Sequence, residues 1–143
     1  MTVRISTEGR RQVKIMDYIE LAYVHLATIF LAFLIGTFLL LKRKGTRLHK
    51  QLGKVYMLLM LFTASVTLFM PAEIGPNFLH HFGFIHLLSL LVFICVIAAY
   101  LAARNGNIKI HKANMLGLYI GGILVAGGFT FLPGRLLNGW VFG

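Results

Sequence analysis

Six histidines occur in this chain, and four of them sit where an imidazole needs a reason to be. His25 and His86 lie inside long apolar runs, and His49 and His111 open two further runs. Burying a polar group in hydrocarbon without a partner costs roughly 2–7 kcal/mol, so an intramembrane histidine is a functional hypothesis by default. The chemistry that takes one neutral imidazole from each of two helices at matched depth is axial ligation of a b-type haem, with a ring nitrogen on each face of the iron. Two such pairs at two levels hold two haems and carry electrons across a membrane. The remaining His80 and His81 stand at the end of a run, where solvated histidines are unremarkable.

The elements that position these residues come from a repeat. Leu48-His-Lys-Gln-Leu-Gly-Lys-Val-Tyr56 returns as His111-Lys-Ala-Asn-Met-Leu-Gly-Leu-Tyr119 with one extra residue. Each copy sets a His-Lys pair at a polar boundary, then Gly, then Tyr, then an apolar run, and each follows an apolar run holding one histidine. Two helical hairpins with two histidines apiece are the simplest organisation, and an internal repeat decides the fold before any single motif does.

Composition places the hairpins in a bilayer. With 143 residues, 58% hydrophobic and 13% charged, and a mean hydropathy of +0.81, the chain has more apolar surface than a soluble domain of this size can cover. The formal charge of +10 does not argue for nucleic acid, because the basic residues cluster at the ends of apolar runs. The single cysteine, Cys95, is inside a run; it excludes a disulfide framework and reads as a small buried hydrophobe. The expected fold is all-α, an integral membrane four-helix bundle of two tandem hairpins over about 18–70 and 79–132. A basic segment, 1–16, precedes the single domain, 17–143, and lacks the cleavage site of a removable signal peptide.

The spans are read at about Tyr18–Leu41, Leu48–Met70, Leu79–Ala103 and Lys109–Leu132, each near the ~20 residues that cross the hydrocarbon layer. Thr46 is the expected cap of the second helix, Pro71 its stop, and Ala72–Asn77 a turn. The tail with Trp140 and Phe142 reads as interfacial. Lys42, Arg43, Lys44, Arg47, Lys50, Lys54, Arg104, Lys109 and Lys112 fall on one side, and all four acids fall on the other, leaving +9 against +1. The basic side should be cytoplasmic, with both termini outside. Counting residues from the helix ends then puts His25 level with His86 and His49 level with His111.

Helical faces point the same way. His25, Thr28, Ala32 and Gly36 share a stripe on the first helix; His49, Gly53, Tyr56, Met60, Thr63 and Thr67 share the polar stripe of the second. On the fourth, Gly117, Gly121, Gly122 and Ala126 suggest close packing, which small residues also provide with no cofactor present. Arg47, Lys50, Lys109 and Lys112 stand near the inner pair, where they suit haem propionates or lipid phosphates equally. Zinc is disfavoured because His81 and His86 do not share a face and no HExxH accompanies them. A proton-coupled transporter is weakened because Asp17, Glu20 and Glu73 lie at the outer edge, and no Ser-His-Asp set, phosphate loop or carboxylate pair supports hydrolase chemistry.

The set Lys44-Gly-Thr-x-Leu-His49-x-x-Leu-Gly-x-Val-Tyr56, Ile85-His-Leu-Leu-Ser89, His111-Lys-x-x-Met-x-Gly-Leu-Tyr119 and Phe131-Leu-Pro-Gly-Arg135 resembles a family of predicted bacterial membrane proteins with a domain of unknown function, DUF2306-like. The resemblance covers nearly everything after about residue 17. It implies four spans, a bacterial source and His25, His49, His86 and His111 as the pattern histidines, and it implies no reaction. By analogy of arrangement alone, the bundle is similar to the four-helix core of di-haem cytochromes b561. The expected function is therefore electron transfer or quinol-linked redox chemistry on one or two b haems bound by those four histidines, as a haem-dependent membrane oxidoreductase. The alternative is a non-catalytic membrane protein without a cofactor, an accessory subunit or lipid-binding module. Expected partners are the bilayer, a quinone or redox protein, and a second copy or a larger membrane complex.

Overall fold

A computed structural model describes residues 7–70, 84–131, 133 and 136–143. The described residues form only helices and turns: α1 (Thr7–Leu41), α2 (Arg47–Phe69), α3 (Phe84–Arg104), α4 (Ile108–Gly117), a π-helical segment (Leu118–Val125), α5 (Ala126–Phe129) and α6 (Leu136–Phe142). Four stretches are long and apolar enough to span a membrane: Asp17–Leu41, Arg47–Phe69, His86–Arg104 and Ile108–Phe129. A helix satisfies its own backbone groups, which is why hydrocarbon tolerates it. The outward faces carry large apolar side chains such as Leu58, Phe30 and Leu87, exposed by 69%, 60% and 62%, and these meet lipid tails.

Both hairpin turns are built alike. Gly45 (φ 81°) and Gly106 (φ 74°) adopt the left-handed conformation that reverses the chain, and each is followed by a capping side chain. Thr46 Oγ1 accepts from the His49 backbone N–H at 3.1 Å, and Asn107 Oδ1 accepts from that of Ile110 at 3.2 Å. The expected Thr46 cap is therefore in place, and both turns lie at one end of the bundle together with the basic side chains. We call this the basic end. The turn expected at Ala72–Asn77, with His80 and His81, lies outside the described residues.

Three boundaries differ from the sequence reading. The first helix starts at Thr7 instead of near Tyr18, so part of the basic N-terminal segment continues α1; no glycine or proline between Arg10 and Leu41 except Gly36 interrupts it. The fourth rod is not uniformly α-helical, since a π-helical stretch follows Gly117. It begins beside Tyr119, where the second repeat carries its extra residue. Seven residues bring Tyr56 to within about 20° of the direction of His49, whereas eight in α-geometry leave Tyr119 about 80° from His111, and a wider turn takes up such an addition. Helix ends before Thr130, earlier than Leu132.

Around the bundle, α1 packs on α2, α2 on α3 and α3 on α4, and α1 closes the ring against the π segment alone. The pairs α1/α3 and α2/α4 stand diagonally, with no Cα approach within 8 Å. The core is small: Ala32, Leu39, Tyr56, Met60, Ala64, Val92, Val96, Leu118, Tyr119 and Ile123. The expected inward stripe of α2 holds, with Tyr56, Met60, Thr63 and Thr67 buried. On the fourth rod the close approach is at Gly122, whose added Cβ would meet Met60 Cε at 3.0 Å, while Gly117 and Gly121 face nothing within 4 Å. The tight glycine of α1 is Gly36, against which the rings of Tyr56 and Tyr119 converge.

Candidate functional site

The far half of the bundle contains hydroxyl and imidazole groups held by one another. His25 Nδ1 lies 2.8 Å from Thr63 Oγ1, and Thr28 Oγ1 reaches the same hydroxyl at 3.3 Å. One turn along α2, the hydroxyl of Thr67 pairs with that of Ser89 on α3, both buried. His86, buried at 5% exposure, lies three residues from Ser89, away from the basic end. The register between the hairpins on this side is set by the Thr67–Ser89 pairing of α2 and α3.

The basic half is arranged differently. His49 and His111 are carried by diagonal helices that open at this end, and His111 is near enough to act on His49 electrostatically. His111 Nδ1 is 3.0 Å from the Ala99 carbonyl oxygen, which only accepts, so Nδ1 carries the proton and Nε2 keeps its lone pair. His49 Nδ1 is buried with no hydrogen-bond partner. Between His49 and Tyr56, a Cβ at Gly53 would meet nothing within 4 Å.

The tyrosines of the two motif copies are buried. Tyr119 Oη is 2.7 Å from Thr37 Oγ1, and its ring stacks on Phe33 at 6.2 Å. Tyr56 is 3% exposed, and its hydroxyl has no hydrogen-bond partner. No residue of α4 is buried, and no Cα of α4 comes within 8 Å of one in α1 or α2. Arg47, Lys50, Lys109 and Lys112 are exposed around this end.

Of the four pattern histidines, His49 and His111 open α2 and α4 at the basic end and interact electrostatically, while His25 is held by Thr63 and His86 lies on α3. Among the described residues no group of three or more His, Cys, Asp or Glu gathers as a metal site. The sequence reading missed Thr37, Tyr119 and the unpartnered Tyr56 hydroxyl as members of the site, although the conserved spacing within its own two copies, His then Tyr, was the available signal.

Comparison with known proteins assigns the family. The sequence model of a family described as predicted membrane protein (DUF2306) matches residues 22–135. This chain belongs to the DUF2306 family. The matched region takes in most of both hairpins and all four histidines of the pattern, so the repeat lies within the DUF2306 region. Neither the curated proteins nor the solved structures include a match to the chain.

Proposed function

We propose that this DUF2306 protein is a membrane redox protein that binds one b-type haem at the basic end, with His49 and His111 as axial ligands. The observation that carries the reading is the pair itself: His111 has Nδ1–H committed to the Ala99 carbonyl and Nε2 basic, and His49 has a buried ring nitrogen without a partner. A ligating histidine commonly donates its other ring N–H to a carbonyl, which fixes tautomer and orientation. The diagonal placement of α2 and α4, and the open space over Gly53, suit a flat ring between them. Arg47, Lys50, Lys109 and Lys112 would meet its propionates. Bound there, the haem supplies one-electron chemistry; the chain supplies the two imidazoles, a carbonyl that orients one of them, and apolar walls that set the dielectric.

The His25–Thr63–Thr28 contacts and the Thr67–Ser89 pair are assigned to packing of α1, α2 and α3. In this reading the basic end faces the cytoplasm of a bacterial cell, with both termini on the other side.

The test is the optical spectrum of the protein purified in detergent from cells with ample haem. Wild type, His25→Ala and His86→Ala should show a Soret band and the sharp low-spin bands of bis-imidazole iron after reduction; His49→Ala and His111→Ala should lose them. A wild type without a Soret band ends the haem reading and leaves the non-catalytic membrane protein as the surviving account.

A further inference from the structure

The first helix of each hairpin ends in the same way. On α1 the ammonium of Lys42 lies over the ring of Phe38, 5.6 Å from its centroid, and on α3 the guanidinium of Arg104 lies over the ring of Tyr100 at 6.0 Å. Lys42 and Arg104 each stand seven residues before the histidine of their repeat, His49 or His111, so the two pairs are counterparts. In both, the ring is one helical turn nearer the middle of the bilayer than the cation, since α1 and α3 run toward the basic end. Lys42 directly follows one apolar span and Arg104 closes another, which puts both charges at the headgroup boundary. All four side chains are exposed, Phe38 by 36% and Tyr100 by 42%. Neither cation has an ion-pair partner among the described residues, and Glu8, Asp17 and Glu20 belong to the opposite part of α1.

We infer that Phe38–Lys42 and Tyr100–Arg104 are two equivalent surface sites for an anionic phospholipid. The cation takes the lipid phosphate, and the exposed ring one turn deeper packs against the glycerol backbone and the first methylenes of an acyl chain. Charge selects the lipid. A bare aromatic face at this depth would attract the cation of a choline headgroup, but here a protein cation already covers the ring, so the site presents positive charge and favours a headgroup with net negative charge. The bias of lysine and arginine toward one side of the membrane sets orientation and needs no ring, so it leaves the repeated pairing of a ring with each cation unexplained. Because α1 and α3 stand diagonally across the bundle, the two sites take separate lipids. Neither uses a residue assigned to the haem, so lipid binding does not depend on that reading.

The experiment is fluorescence quenching by brominated lipids, read at each site separately. The chain has a single tryptophan, Trp140, so Trp140→Phe combined with Phe38→Trp or with Tyr100→Trp gives a full-length protein with one reporter at either site. Each is reconstituted in phosphatidylcholine vesicles that contain the same fraction of brominated phosphatidylglycerol or brominated phosphatidylcholine. Both reporters should be quenched with about a fivefold preference for phosphatidylglycerol, which is what one cation at an anionic membrane surface is worth, and the preference should fall as salt is raised. Lys42→Gln should abolish the preference at position 38 and leave it at position 100, and Arg104→Gln should do the reverse. Lys54→Gln removes the same charge from the same end without a ring contact and should leave both preferences intact. Equal quenching by the two lipids at either reporter, a preference that survives Lys42→Gln or Arg104→Gln at its own site, or an equal loss in Lys54→Gln overturns the inference.

Discussion

Gly36→Ala probes the closest approach in the bundle. A Cβ there would lie 2.8 Å from Tyr119 Cδ2, 3.0 Å from its Cε2 and 3.0 Å from Tyr56 Cε2. These are ring atoms of buried side chains, not flexible ends. Tyr119 is pinned by Thr37 at 2.7 Å and stacked on Phe33, so the ring has little freedom to retreat. Overpacking of this kind costs about 1–3 kcal/mol, while replacing a mid-helix glycine by alanine returns about 0.5–1 kcal/mol of backbone entropy. Gly121→Ala is the control, because its Cβ meets nothing within 4 Å and only the favourable contribution remains. The two substitutions should therefore differ by about 1–3 kcal/mol, the overpacking cost alone since the entropy gain is common to both, with Gly36→Ala the less stable. Reversible unfolding in mixed micelles, followed by circular dichroism, reads the difference. Equal stabilities, or a Gly36→Ala protein more stable than wild type, would refute the claim that both tyrosines close on α1 at this residue.

Other outcomes follow from the same contacts. Thr67→Val and Ser89→Ala should each destabilise by about 1–3 kcal/mol in the same unfolding assay, and the double variant should cost clearly less than their sum, because both substitutions remove the same hydroxyl–hydroxyl contact. Gly106→Ala should cost about 1 kcal/mol, since alanine resists the left-handed conformation that this turn requires; unchanged stability would mean the turn rearranges freely. Reporter fusions at Lys44 and at Asn107 should both report the cytoplasm and a fusion at Gly75 the opposite side; a cytoplasmic Gly75 would invert the assigned orientation.

Much of the fold was legible because bilayer solvation writes itself plainly into composition. Four apolar runs, the Thr46 cap, and the stripe from Tyr56 to Thr67 follow from length, capping chemistry and the 3.6-residue period, and each is present. The repeat also announced the paired hairpins and the His-then-Tyr spacing. What could not be read is where two helices meet. Gly36 and Gly121 are the same residue in similar apolar contexts, and only packing reveals that one faces two rings and the other open space. The π segment leaves no periodic signature, because it is a widening of the backbone at one added residue. The register between α2 and α3, which Thr67 and Ser89 fix, is likewise a matter of packing that counts from helix ends ignore.

The central claim, that His49 and His111 clasp one haem, is tested most directly by haem stoichiometry from the pyridine haemochromogen of purified protein. The account predicts one haem per chain in the wild type, in His25→Ala and in His86→Ala, and none in His49→Ala, His111→Ala or their double variant. Two haems per wild-type chain, a haem that persists in His49→Ala, or a wild type with none would each contradict it.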